Sequence, residues 1–369
     1  MLFLDRRYIR YFDWVSFTLI ALLCGIGLMF VFSATYKPEQ PFSLFFNKQL
    51  FGIVSGFFIY SICCIIDFRT LQRWGYFLYF ATMLLLIFTI IKGSIGMGAQ
   101  RWINLGVIKF QPSELTKLFF PAFFTYYIYT EKNHTITLRS CLPIMIISAI
   151  SALLIRKQPD LGTALIITFA STAMFWLAGL PKKFFIWSLI IIFISAPLIW
   201  QSLKPYQKQR ITVFLGEGTS QKERYHIEQS QIAIGSGGLC GKGFLKGTQN
   251  KFQFLPESRT DFIFSVLCEE WGFLGAILTI GLYILLFLRF FLVIITIKNF
   301  YAQLLASGLV IHIALSTIIN MGMVMGLLPI VGIPLPFMSY GISHTWITLA
   351  SLGWFNGIAM RRFYVTVGT

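Results

Sequence analysis

Long apolar runs recur along this chain, and their length restricts it to a bundle of membrane-crossing helices. Crossing about 30 Å of hydrocarbon takes about 20 apolar helical residues, because each advances the axis by roughly 1.5 Å. Such runs lie near 13–33, 48–66, 74–91, 115–130, 141–155, 161–180, 184–201, 262–288, 301–325 and 337–360. The expected fold is all-α, a polytopic membrane protein of about ten helices with one long extracytoplasmic loop. A chain of 369 residues that is 56% hydrophobic and only 12% charged cannot dress a water-facing surface, so a soluble fold is excluded.

Orientation follows from the basic residues. Arg6, Arg7 and Arg10 precede the first apolar run, no small-residue cleavage site follows it, and the basic end is therefore expected to stay in the cytoplasm. Counting ten spans from there, each inner segment carries a basic pair: Arg69 with Arg73, Lys132 with Arg139, Lys182 with Lys183, Arg289 with Lys298, and Arg361 with Arg362. Both termini are then cytoplasmic. The formal net charge of +16 includes 30 Lys and Arg, and 17 of these fall in or beside outer segments. That outer surplus calls for an anionic partner. Outside a plasma membrane this means lipid headgroups or a phosphate-bearing lipid substrate rather than nucleic acid, although snorkelling anchors account for individual residues equally well.

Residues 1–369 read as a single membrane domain interrupted by a polar loop at about 202–261, far longer than an ordinary connection and therefore a functional one. Within it, residues 225–234 are weakly amphipathic and suit a short helix on the membrane surface. The run Gly235-Ser236-Gly237-Gly238-Leu239-Cys240-Gly241-Lys242-Gly243 looks like a phosphate loop, but Ser236 and Gly243 break the nucleotide-binding pattern. A simpler backbone nest with Lys242 beside it stays open. The six cysteines and four histidines are scattered and form no disulfide framework or metal set.

Ionisable groups in or near spans are costly, at about 2.5 to 3.5 kcal/mol each, and usually face a partner or a cavity. Four groups stand out. In Gln111-Pro112-Ser113-Glu114-Leu115-Thr116-Lys117, Pro and Ser suit a helix start, and Glu114 and Lys117 lie three apart on one face. Arg156-Lys157-Gln158-Pro159-Asp160 packs two cations and an acid into one turn, where Asp160 either caps the next helix or joins Glu114 and Lys117 in a charged lining. Arg101, beside Trp102, has the planar fork that grips phosphate. Finally, Glu257-Ser258-Arg259-Thr260-Asp261 runs straight into an apolar helix, which makes Asp261 either an N-cap or a general base at the water's edge. Burial and Glu257 would raise its pKa, whereas Arg259 and the helix end would lower it. Further along the same helix, Glu269 and Glu270 need partners, and His312, Ser316 and Asn320 offer a polar stripe.

Seven ordered segments resemble the shape, elongation, division and sporulation family of glycosyltransferases. They are GAQRWI (98–103), QPSELTK (111–117), QPDLGT (158–163), IAIGSGG (232–238), GKGFLKGTQ (241–249), FLPESRTDFIF (254–264) and GIPLPFMSYG (332–341). The lysine-glycine run followed by GTQ, and the short tails, are closer to the elongation branch than to the division branch. The resemblance implies ten helices and an enzyme that joins lipid II into glycan strands on the outer face of the bacterial inner membrane. It places Asp261 as the essential acid and Glu114, Lys117 and Asp160 in the central cavity. It also implies a class B penicillin-binding protein, a transpeptidase, as partner. Arg101, Arg156, Lys157, Lys242 and Glu257 are added as substrate-binding candidates, on electrostatic grounds for the three cations near the outer turns. No resident cofactor is implied beyond a possible divalent cation such as Mg2+. After Ser339-Tyr340-Gly341 the family continues Gly-Ser, whereas this chain reads Ile342-Ser343-His344. A lipid II transporter and a non-catalytic scaffold for the transpeptidase are the rival readings; the first needs charged sites on both faces, and the second makes Asp261 dispensable.

Overall fold

The computed structural model describes residues 11–96, 99–104, 106, 109–131, 137–217, 221–251, 254–255 and 257–362. Arg6, Arg7, Arg10, Lys132 and Gly98 lie outside these residues.

All ten apolar runs fall on helices of 17 to 33 residues: α1 (Trp14–Thr35), α2 (Leu44–Ile65), α4 (Gly75–Lys92), α5 (Pro112–Thr130), α6 (Leu138–Lys157), α7 (Leu161–Leu177), α8 (Lys182–Ser202), α12 (Ile263–Ile295), α13 (Phe300–Val324) and α14 (Ile342–Arg361). Six of them, α1, α2, α4, α6, α12 and α13, have both the length and the uninterrupted apolar composition of a bilayer span. A short α3 (Phe68–Arg73) turns the chain between α2 and α4, capped by the Asp67 carboxylate on the Arg69 amide at 2.9 Å. Pro112 occupies the first turn of α5, where its missing N–H costs nothing.

The core is built around α13 and α14. All but two residues of α14 are buried, and a helix apolar on every side has to sit inside other helices. It packs along α2, where Asn356 Nδ2 donates to Tyr60 Oη at 2.6 Å and Trp346 Nε1 to Ser55 Oγ at 2.8 Å. At one end of the bundle the buried Asp13 carboxylate takes two bonds from Arg289, at 2.8 and 2.9 Å, and ties α1 to α12. α8 is the opposite case: Ile186, Trp187 and the run from Leu189 to Ile194 are exposed, as expected of a lipid-facing helix.

Two expectations change. A small antiparallel sheet, β1 (Ser94–Gly96), β2 (Ala99–Asn104) and β3 (Lys109–Phe110), replaces the expected outer turn and carries Arg101 on its middle strand. The long polar loop is largely helical, with α9 (Pro205–Phe214), α10 (Gln221–Ser236) and α11 (Thr248–Lys251). Nor does α10 lie loose on a membrane surface. Ser230 and Ala233 are fully buried, and Ser230 Oγ bonds Ser265 Oγ at 2.9 Å and the Val324 carbonyl at 2.7 Å, which pins α10 onto α12 and α13.

The glycine-rich run has a direct part in the fold. α12 is broken at Gly272, whose φ of 64° and ψ of −159° belong to a region essentially closed to other residues. The break would orphan two carbonyls and two amides. Lys242 N donates to the Glu269 carbonyl at 3.0 Å and Gly243 N to the Glu270 carbonyl at 2.9 Å, while Phe273 N and Leu274 N donate to the carbonyls of Gly238 and Leu239 at 2.8 and 3.1 Å. In an apolar surrounding each unmet group would cost several kcal/mol, so this loop is what makes the break tolerable.

Candidate functional site

The sheet, the starts of α5, α7 and α14, the turn before α12, and α9 bring their polar residues to the same end of the bundle. Asp160 is both of the things its sequence allowed. Its carboxylate caps α7 by accepting from Thr163 N at 3.1 Å, and it also accepts from Gln111 Nε2 at 2.7 Å and Ser113 Oγ at 3.1 Å. Ser113 therefore serves Asp160 rather than capping its own helix. Arg101 reaches across from β2, with Nη1 3.8 Å from Asp160 Oδ1 and only 19% of its side chain exposed. Its buried Nε has no hydrogen-bond partner among the described residues, which leaves one edge of the guanidinium unspent.

Asp261 is not an N-cap. α12 begins at Ile263 with Phe262 in the capping position and no side-chain cap. The backbone of Asp261 is held instead: Asn320 Nδ2 on α13 donates to its carbonyl at 2.9 Å and to the Ile333 carbonyl at 2.7 Å. Ser339 Oγ donates to the Thr260 carbonyl at 2.5 Å, and Tyr340 N to the Arg259 carbonyl at 2.9 Å. This is why the segments 254–264 and 332–341 travel together: the second is the cradle of the first. No hydrogen bond reaches the Asp261 carboxylate itself from the described residues. Burial pushes this carboxyl up, to about 6 from an ordinary 3.8, and Glu257 pushes it further, against the opposing pull of Arg101 and Arg210. Glu257 lies at a left-handed φ of 52° with its carboxylate accepting from Thr260 Oγ1 at 3.1 Å.

Arg259, expected to lower the pKa of Asp261, is turned away over the Phe45 ring at 3.9 Å. The opposing cations are Arg101 and Arg210. Arg210 sits on α9 with no motif around it, and only the fold of the long loop reveals it.

Glu114 and Lys117 form the expected pair at 2.6 Å, both buried. The second carboxylate oxygen of Glu114 meets His344 Nδ1 at 3.0 Å. The unusual segment 342–344 therefore enters the site: Ile342 packs against Gly52, Ser343 Oγ donates to the Lys109 carbonyl at 3.0 Å, and His344 reaches Glu114.

Lys242 and Arg156 are bonded to other residues, and Lys157 is exposed. Lys242 Nζ is held by Glu269 at 2.7 Å and Thr248 Oγ1 at 2.8 Å, as part of the loop that repairs α12. Arg156 donates to the Ser202 carbonyl at 2.9 Å and, with the exposed Lys157 and with Lys204, rims an apolar groove lined by Ile150, Leu153 and Leu154. The polar stripe on α13 is not the partner of Glu269 and Glu270. Glu269 is satisfied by Lys242, Thr248 and Gln249, and Glu270 by Ser33 and Leu245 N, whereas Asn320 serves Asp261.

Comparison with known proteins agrees over nearly the whole chain. The family model for cell cycle proteins of the FtsW, RodA and SpoVE type matches residues 13–363. The peptidoglycan glycosyltransferase MrdB of Escherichia coli strain K12 is 36% identical over 324 residues, covering 86% of this chain and 86% of that protein. The protein of the same name from Helicobacter pylori strain J99 is 36% identical over 351 residues, covering 92% of this chain and 87% of that one. Among solved structures, a chain from a peptidoglycan synthase complex, described for its coordination of polymerization and crosslinking, superposes with a TM-score of 0.82 at 27% identity, covering 95% of this chain and 98% of that one. The rod shape determining protein RodA of Thermus thermophilus superposes with a TM-score of 0.72, also at 27% identity, covering 96% and 98%. The chain is a multi-pass bacterial membrane protein, and it belongs to the FtsW/RodA/SpoVE family.

Proposed function

We propose that this protein is a peptidoglycan glycosyltransferase of the elongation type, polymerising lipid II into glycan strands for the maintenance of cell shape. The carrying observation is Asp261: a carboxylate free of hydrogen bonds from the described residues, raised toward neutrality, and faced by two arginines. A base of that pKa accepts a proton near working pH without being fully protonated beforehand. Asp261 takes the proton from the acceptor's sugar hydroxyl. That oxygen forms a bond to the donor's anomeric carbon as the bond from this carbon to the diphosphate oxygen breaks, with inversion. The leaving undecaprenyl diphosphate carries off the electron pair, and Arg101 and Arg210 offset its charge. Asp160 orients Arg101, and the Glu114–Lys117 pair lines the same end of the bundle. No group of three His, Cys, Asp or Glu suited to a metal ion converges among the described residues.

In this reading residues 1–369 are one membrane domain, both termini are cytoplasmic, and Asp261 faces outward. The alternating basic pairs support it. The likeness to a chain of a peptidoglycan synthase complex that coordinates polymerization and crosslinking favours a class B penicillin-binding protein as partner. Cys240 is the one exposed cysteine of the six, so a membrane-impermeant maleimide added to intact spheroplasts should label it. Labelling only after lysis would invert the orientation.

The direct test is polymerisation of lipid II by the purified protein with its transpeptidase. Asp261→Ala should abolish polymer while the protein stays folded; full yield from that variant would end the mechanism. Lys117→Ala should weaken lipid II turnover, and an unchanged rate and apparent affinity would remove Lys117 from the site.

A further inference from the structure

We propose that His344 is a positioning residue for this reaction, fixing the Glu114 carboxylate at the polar end of the bundle. The proposal rests on the glycosyltransferase reading above. The His344 side chain is 8% exposed and comes from the first turn of α14, meeting the other carboxylate oxygen of Glu114 from the one Lys117 holds. Its Nδ1 lies 3.0 Å from Glu114 Oε2 while Lys117 Nζ lies 2.6 Å from Oε1, so each carboxylate oxygen has its own nitrogen partner. A carboxylate held on one oxygen can rotate about its last torsion, which is broad and roughly two-fold. Held on both, it is fixed in plane and direction.

His344 is itself placed by its neighbours. Ser343 Oγ is bonded to the Lys109 carbonyl at 3.0 Å, and Gly341 N to Gln49 Oε1 at 3.0 Å, so the first turn of α14 is moored to β3 and to α2 before the imidazole leaves it. The groups facing the ring are Glu114 and Lys117 from α5 and His312 from α13. The other ring nitrogen, Nε2, is buried with no hydrogen-bond partner among the described residues. A buried nitrogen without a partner has unused hydrogen-bonding capacity, suited to a hydroxyl of the bound substrate or to a water that precedes it.

The test compares His344→Leu, which keeps the bulk and loses the donor, with His344→Asn, whose amide nitrogen falls near the place of Nδ1. Lipid II polymerisation is read as kcat and KM separately, beside the thermal unfolding midpoint. His344→Leu should lower kcat by about 10- to 100-fold with little change in KM, the scale expected when a substitution away from the reacting atoms shifts the site by about 1 Å. His344→Asn should recover most of that loss, and Glu114→Gln combined with His344→Leu should be scarcely worse than Glu114→Gln alone. Full turnover by His344→Leu, equal loss in the Leu and Asn variants, or additive losses in the double variant would each overturn the proposal. Should His344→Leu not fold, His344→Gln, whose nitrogen lies one bond further out, takes its place with the same expectations. If the unsubstituted protein makes no polymer, the glycosyltransferase reading falls; if it does and the His344 variants match it, only this inference falls.

Discussion

Two acidic sites eight residues apart on one stretch of chain have opposite lives. Glu269 is fully buried and well supplied with donors: Lys242 Nζ, Thr248 N and Oγ1 and Gln249 N all donate to its carboxylate at 2.7 to 3.3 Å. Asp261 has its backbone held as firmly, by Asn320, yet among the described residues no donor reaches its carboxylate. The first carboxylate, crowded by donors on Oε1, stitches the loop to the broken helix. The second is kept hungry by burial and by Glu257. A charge inside a membrane protein is thus informative less by its presence than by whether its hydrogen-bonding capacity is already used.

The strongest challenge to that contrast is to neutralise each acid. Asp261→Asn should cost at least about 100-fold in polymerisation, as for removal of a general base. Its unfolding midpoint should stay level or rise at pH 7. The sign follows from the raised pKa: an acid raised from 3.8 to about 6 stabilises the fold most below its ordinary pKa, and that contribution is lost as pH rises through about 6. Glu269→Gln should do the reverse, losing about 1–3 kcal/mol by leaving the partly buried Lys242 ammonium without its counter-charge, with activity per folded molecule largely kept. A well-folded but inactive Glu269→Gln would erase the distinction.

Next in size, Gly241→Ala tests the loop that repairs α12. A Cβ there would lie 2.1 Å from the Glu270 carbonyl oxygen at a φ of 76°. We expect about 3 kcal/mol of lost stability or failure to accumulate in the membrane, measured as the unfolding midpoint in detergent. Near-normal stability would mean the loop is not a structural plug.

Arg101→Gln should reduce polymerisation about tenfold or more and shift the acid limb of the rate profile upward, because Arg101 pulls the Asp261 carboxyl down. An unmoved profile would separate Arg101 from Asp261. The smallest effect concerns pH itself. A base must be ionised, so kcat/KM should fall as pH drops through about 6. Glu257→Gln, which removes a like charge, should move that midpoint down by less than about one unit. A profile flat between pH 5 and 8 would rule out Asp261 as the titrating base.

The sequence by itself determined the membrane bundle, since hydrophobic length is a local property: each of the ten apolar runs became a helix. It also determined the Glu114–Lys117 pair, because three residues of helix bring those side chains together whatever surrounds them. The tertiary structure decided the rest, because burial and hydrogen bonding depend on chain segments distant in sequence. It made Asp261 a base candidate rather than an N-cap by seating its turn on the 332–341 segment, far along the chain. It withdrew Lys242 from the site and spent the glycine run on the break at Gly272. It brought in Arg210, which no motif marks, and made His344, which the sequence shows only as a departure from the family pattern, a partner of Glu114.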